Sequence, residues 1–305
     1  MKQPDFTIVT PSFKQLDYLA CCIASVADQE GVEVEHIVQD GGTKGFADFA
    51  KQMAQQLPNR KGYQRIMVSE QDGGMYDAIN RGLKRAKGKI CAYLNCDEQY
   101  LPGALKLVRE FFEDRINAEV VLGDVIIVGT NGEGVCHRKM VKPGLAHTWT
   151  CHFGALTAGI FFRDKLLNEG LLFDTSYRAA SDAEWFVRVF RSKKRIEALR
   201  KTTSTFMESG ENLGLSSTAK EERKRLNSSA PLYFRVLRPA WVLLHRARRL
   251  WSGAHQSEDV AYEIYLPKES GRKVFHAKRL RTTWPGRIFN LFLRSGDART
   301  PRTLR

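Results

Sequence analysis

Residues 69–100 constrain the fold more than any other stretch of the chain. Within them Met75, Ala78, Ile79, Gly82, Leu83 and Ala86 recur at i, i+3, i+4, i+7, i+8 and i+11, the spacing of one helix face laid on a sheet. Gly88 stops that helix behind a lysine-rich last turn, and the apolar run Ile90–Leu94 begins at once as a strand. Asn95, Asp97 and Glu98 therefore stand just beyond a strand end, where open α/β sheets bind ligands. Two adjacent acids there suit a divalent metal that carries a diphosphate. Taken alone, an Asp-Glu pair also reads as a turn cap ahead of a helix at Pro102.

The preceding chain repeats the same unit. Phe6–Thr10 reads as a buried strand ending at Pro11-Ser12, and Leu16, Leu19, Cys22, Ile23 and Val26 follow at helical spacing. Val34–Gln39 is a second strand, closed by the glycine-rich turn Asp40-Gly41-Gly42-Thr43-Lys44-Gly45, with a helix from about Phe46. Tyr63–Ser69 is a third strand, followed by Glu70 and Asp72. Strand and helix alternating in this way specify a parallel α/β sheet with right-handed crossovers. Pro11, Ser12, Asp40, Glu70, Asp72, Asp97 and Glu98 then gather along one rim, and such convergence marks a site where a single Asp would mark only a turn. No G-x-G-x-x-G follows a strand and no G-x-x-x-x-G-K-[ST] occurs, so phosphate is expected on a metal and on backbone amides.

Charge separates the chain into two parts. The net +14 is uneven: residues 1–217 hold 28 Lys+Arg against 27 Asp+Glu, and residues 218–305 hold 20 against 7. The basic character belongs to the C-terminal part. Six cysteines show no C-x-x-C and no metal-ligand spacing, which fits a reduced, cytoplasmic setting. The N-terminus enters a strand with no signal-peptide core, and no run of eighteen apolar residues is present.

The opening Ile8-Val9-Thr10-Pro11-Ser12-Phe13, the Asp40-Gly-Gly-Thr turn, the run Ser69-Glu-x-Asp-Gly-Gly-x-Tyr-Asp-Ala-x-Asn80-x-Gly and Leu94-Asn-Cys-Asp-Glu98 together resemble the family 2 inverting glycosyltransferases of GT-A fold, over roughly Phe6 to Ser217. The last segment resembles that family's Asn-Ser-Asp-Asp form of the DxD motif, with Glu98 where Asp is usual. The resemblance implies a nucleotide-diphosphate sugar donor and Mg²⁺ or Mn²⁺. It places Asp40 at the nucleotide base, Asp97 at the ribose side and on the metal, and Glu98 on the metal bridging the diphosphate. Pro11, Ser12, Glu70, Asp72 and Asn80 complete the donor pocket.

Val120–Gly123 and Val125–Val128 lead to a tight turn at Asn131-Gly132, and Gly159–Arg163 reads as a further strand. His152, in Cys151-His152-Phe153, lies in a segment similar to one beside the family's acceptor pocket; a lone histidine is more often a structural group. Ser181 and Glu184 have the spacing of a capping box. Asp182 is left over in the first helical turn, where the dipole favours its ionised form. A carboxylate fixed there can take the proton of a sugar hydroxyl, and its match to the family's acceptor-side Asp makes it the expected catalytic base. Glu208–Ser217 resembles a loop that closes over the donor diphosphate, and the charge run Lys220–Arg225 reads as a solvated helix face.

Leu232–Trp251 mixes large apolar residues with arginines, as in a helix lying among lipid headgroups with Trp241 and Trp251 as anchors; docking on the catalytic domain is the alternative. The last fifty or so residues are expected to be partly disordered. The sequence thus specifies a GT-A domain over 1–217 and a basic, helical, membrane-associating extension over 218–305, peripheral on the cytoplasmic face. The acceptor is expected to be a glycan or lipid-linked sugar. A nucleic-acid-binding protein gripping phosphate with the basic tail is the rival of another class, and no nucleic acid is expected because the acidic rim repels a polyanion. A metal-dependent nucleotidyltransferase is the rival within enzymes.

Overall fold

The first half alternates as the apolar spacing predicts: β1 (Phe6–Ser12), α1 (Leu16–Ala27), β2 (Val34–Asp40), α2 (Phe46–Gln56), β3 (Tyr63–Ser69), α3 (Met75–Leu83) and β4 (Ile90–Tyr93). This is a computed structural model describing residues 3–208, 214 and 216–284. β1 and β2 are buried along their whole length, as strands covered on both faces must be. The strands pair in parallel in the order β3-β2-β1-β4, so all four carboxyl ends reach one rim. α3 lies close on β1 because residue 82 is glycine: a Cβ there would come within 2.5 Å of the Val9 side chain.

Beyond β4 the chain runs through β5 (Gln99–Tyr100), α4 (Ala104–Asp114), β6 (Val120–Gly129), β7 (Gly134–Arg138), α5 (Leu145–Thr150), β8 (Ile160–Arg163), α6 (Lys165–Asn168), α7 (Ser181–Arg191) and β9 (Ile196–Glu208). β8 joins antiparallel to β4, β6 antiparallel to β8 and β9 parallel to β6, extending the sheet to β3-β2-β1-β4-β8-β6-β9-β5. The expected turn at Asn131-Gly132 joins β6 to the antiparallel β7, with Gly132 at φ +84°. The main core fills the space between this sheet and its helices, with Trp185, Phe186, Phe161 and Phe162 at its centre. All six cysteines are free, and five of them are buried.

The C-terminal part departs from the helical extension expected. α8 (Ser217–Ser228) is followed by α9 (Leu232–Val236) and α10 (Arg238–Trp251), split ahead of Pro239, and then by an antiparallel hairpin of β10 (Glu258–Tyr265) and β11 (Arg272–Leu280). Tyr262, Ile264 and Leu280 pack on Leu101, Ile126 and Val128, and the Arg272 guanidinium grips Asp28 at 2.6 and 2.8 Å. The alternation Val260-x-Tyr262-x-Ile264 drives this: one face of the strand is apolar and finds a partner on the sheet. Residues 285–305, in the stretch expected to be partly disordered, lie outside the described residues.

Candidate active site

The rim formed by β1, β2 and β3 is organised by hydrogen bonds from within. Asp40 is 0% exposed, and its carboxylate accepts from the amides of Gly42 and Thr43 at 3.0 and 2.7 Å and from the hydroxyls of Thr43 and Ser69 at 2.6 and 2.7 Å. Asp40 thus holds the turn at which the resemblance places the nucleotide base, three of its four bonds falling on one oxygen. Pro11 and Ser12 pair with Gln39 and Asp40, and the Ser12 carbonyl accepts from Gly41. Glu70 accepts from Gln39 and pairs with Arg81 at 3.2 Å and Arg85 at 3.7 Å. Those guanidinium groups, Arg81 foremost, hold its carboxyl below the usual range.

Asn80, buried, clamps the backbone of Phe173 with both ends of its amide, at 2.9 and 2.7 Å, so it joins α3 to the chain ahead of α7. Asp72 remains open. One of its oxygens accepts from Gly74, and the other lies against Gly41 beside the exposed ring of Phe13.

At the end of β4 the two acids differ. Glu98 is 0% exposed; it accepts from the Asn95 amide at 2.9 Å, from the Asn95 side chain at 3.1 Å and from the Thr157 hydroxyl at 3.3 Å. Burial, and then the charge of Asp97, push its carboxyl up to about 8. Asp97 is half-buried, its carboxylate in no ion pair or side-chain hydrogen bond among the described residues, and burial raises it too. Asp97 is thus the more exposed of the two carboxylates, and Glu98 braces the turn beneath it.

Asp182 opens α7, reached across one aromatic layer. Tyr76 stacks on Phe173 with centroids 5.7 Å apart, Tyr93 meets Phe173 edge-on at 5.3 Å, and the Tyr76 hydroxyl points to Asp182 at 3.5 Å. Burial pushes Asp182 up to about 6, opposed by the Ala183 N–H and the Tyr76 hydroxyl. The expected capping box does not form: Ala180 is the N-cap, and Glu184 pairs with Arg188 at 2.8 Å. Instead Glu222 of α8 accepts from the amides of Arg178, Ala179 and Ala180, so the charge run read as a solvated face contains a buried anchor for the helix that carries Asp182. The Glu208–Ser217 loop lies largely outside the described residues.

His152 is brought to a different neighbourhood. Its ring lies edge-on to His147 at 4.5 Å, and His147 stacks on His245 of α10 at 4.1 Å.

The family model described as glycosyl transferase family 2 matches residues 7–171. The chain belongs to glycosyl transferase family 2. Among relatives of this family 2 enzyme, a PGL/p-HBAD biosynthesis glycosyltransferase of Mycobacterium bovis is 29% identical over 246 residues, covering 78% of this chain and 90% of the relative. The putative teichuronic acid biosynthesis glycosyltransferase TuaG of Bacillus subtilis is 30% identical over 114 residues, 37% of this chain and 44% of TuaG. TarS of S. aureus superposes with a TM-score of 0.56 at 17% identity, over 89% of this chain and 60% of TarS, so the chain spans less than two thirds of that protein. The mannosyltransferase PcManGT of Pyrobaculum calidifontis, solved with GDP-Man and Mn²⁺, gives 0.51 at 15% identity, over 83% of this chain and 84% of PcManGT. The fold is the GT-A fold expected, and the protein is a glycosyltransferase.

The donor set of this family 2 transferase fits a divalent cation. Asp97, Glu98 and Asn95 offer oxygen ligands, the side-chain Oδ1 of Asn95 is buried with no hydrogen-bond partner, and no Lys or Arg among the described residues pairs with either acid. The sequence reading missed Arg178 and Phe13. The Arg178 guanidinium sits over Gly74, 2.8 Å from where a Cβ would be, at a backbone φ of +113° that glycine permits. A single arginine in Ser-Tyr-Arg-Ala carries no local signal; Phe13 follows the first strand end and was legible as an exposed aromatic on the rim. No described helix is long and apolar enough to cross a membrane.

Proposed function

We propose that this enzyme transfers a sugar from a nucleoside-diphosphate sugar, with Mg²⁺ or Mn²⁺, to an acceptor hydroxyl with inversion, in the assembly of a cell-surface glycan. The observation that carries the reading is the placement of Asp182 one aromatic layer from the Asp97 turn, near Arg178 and the Gly73-Gly74 loop. In this reading Phe13 and Asp72 receive the nucleoside, and the turn held by Asp40 shapes the floor beneath it. Asp97, with Glu98 and Asn95 beneath it, would hold the cation, whose chemistry is to neutralise charge on the leaving diphosphate. Arg178 adds a fixed positive charge on the same side. Asp182 accepts the proton of the attacking hydroxyl; a carboxylate raised to about 6 is still ionised at neutral pH and is a stronger base than an ordinary one. Attack from the face opposite the diphosphate inverts the anomeric centre. TarS has been solved with UDP-GlcNAc, and the biosynthetic roles named for TuaG and the mycobacterial relative support an envelope acceptor.

The same reading places the enzyme at the cytoplasmic face of an anionic membrane. Leu232, Val236, Leu243, Leu250 and Trp251 are exposed on α9 and α10 among arginines. Trp241 turns inward instead, donating to the Phe234 carbonyl at 3.1 Å.

The test of the donor reading is thermal-shift titration of nucleoside diphosphates with and without Mn²⁺. Stabilisation should require the metal and disappear in Asp97→Ala, because a ligand held only by the folded state raises apparent stability. Metal-independent stabilisation, or full retention in that variant, would remove Asp97 from the site.

A further inference from the structure

Between α5 and the helices α8, α9 and α10 lies a cavity of about 610 Å³ lined by Lys220, Arg223, Lys224, Arg235, Arg238 and His152. Its lining contains no acid, and among the described residues none of the five Lys and Arg side chains forms an ion pair. Of the two carboxylates nearest in sequence, Glu222 is turned away and spent on the amides of 178–180, and the exposed Glu221 does not line the cavity. Five like charges facing one space repel each other, and a multivalent anion relieves that repulsion. Guanidinium forks match phosphate oxygens in geometry as well as in charge.

We propose that this cavity is the subsite for a phosphate or diphosphate carried by the acceptor, an inference that rests on the transferase reading above. Its position supports that use. Glu222 bolts α8 to the start of α7, so the neighbouring Arg223 acts on Asp182 from the cavity side. At the far end Arg235 and Arg238 stand among the exposed Leu232, Tyr233, Val236 and Leu237. The order from base to apolar surface matches a lipid-borne acceptor: a sugar hydroxyl at Asp182, its phosphate among the cations, its chain on the apolar face.

The three histidines argue for the same assignment. Their ligand atoms lie within 4.8 Å of one another, which on spacing alone could gather a metal. Yet Arg248 and Arg238 act on His147, and Arg249, Arg138 and Arg248 on His245. A divalent cation bound by three neutral rings would add to that positive charge with no acid to offset it. Burial pushes His147 down to about 4 and His245 to about 3, so they form an uncharged wall behind a cationic chamber.

The test is calorimetric titration of the full chain with geranyl diphosphate and with inorganic pyrophosphate, without divalent metal so that the Asp97 turn takes no part. Arg235 and Arg238 are both exposed, so Arg235→Gln with Arg238→Gln leaves the core intact. Both probes should bind the wild type, geranyl diphosphate more tightly, and the double variant should lose at least about tenfold for each, the loss of one charge-assisted contact. Equal binding of the two probes by the wild type would keep the phosphate subsite and assign it to a phosphate not borne by lipid. Undiminished affinity in the variant would overturn the proposal. So would a parallel loss of Mn²⁺-dependent nucleotide binding, since the cations would then belong to the donor. Failure of nucleotide binding in the wild type would sink the proposed donor site alone and leave the diphosphate titration standing.

Discussion

Asp182 carries the most specific residue-scale expectation. Asp182→Asn keeps the shape but cannot take a proton, so nucleotide affinity should survive while transfer falls roughly a hundredfold or more. Its acidity adds a pH signature with a definite sign. Burial raises the carboxyl to about 6, so below that pH the base is protonated and idle. The acceptor-side kcat/KM should therefore fall as pH drops through about 6 and level off above it. Tyr76→Phe removes a hydroxyl that favours the ionised form, which moves this limb to higher pH. A limb that stays near 4 in the wild type, or normal transfer by Asp182→Asn, would remove Asp182 as the base. The rim acids show why residue type alone did not assign roles. Asp40 and Glu70 stand where the strand ends place them and Asn80 stands on α3, yet each bonds protein partners: the Asp40 turn, Arg81, and the Phe173 backbone. The Asp40 case was legible, because Asp-Gly-Gly-Thr is the pattern of a side chain bonding the backbone two and three residues on.

Among elements, the start of α7 depends on α8. Glu222→Ala removes the acceptor of three amides, the last of them buried at Ala180, which should cost about 2 kcal/mol in denaturant unfolding and lower transfer, because Asp182 lies two residues beyond it. Loss of stability without loss of transfer would mean that α7 keeps its position by core packing alone. This contact also separates what the sequence carried from what it did not. The β1–β4 half was readable because each strand and helix declares itself through contiguous apolar periodicity, and the rim follows from parallel pairing. The Arg178–Glu222 and Arg272–Asp28 contacts join residues far apart in the chain and leave no local pattern. The β10–β11 hairpin fell between the two: its alternation is present but short, inside a stretch whose basic composition resembles disorder.

At the scale of the whole molecule, polarity is arranged in space. Of the twelve large apolar side chains left exposed among the described residues, eight lie between Leu232 and Trp251, on two helices whose other side docks through the buried His245 and Arg249. The two readings of this stretch are therefore compatible, since one face holds the catalytic domain and the other is free. Leu243 at 69% and Trp251 at 85% exposure bury nothing in the protein, and each would gain about 1.5–3 kcal/mol on entering an apolar phase. Arginines beside an anionic surface add on the order of 1 kcal/mol each, so the two terms together suffice for peripheral attachment that salt weakens. Full-length protein should co-sediment with liposomes containing acidic lipid at low salt, and Leu243→Glu with Trp251→Glu should abolish this without lowering the thermal midpoint, because neither side chain is packed. Binding that survives the double substitution, or that is equal on neutral liposomes, would mean that the face is covered by something other than an anionic membrane.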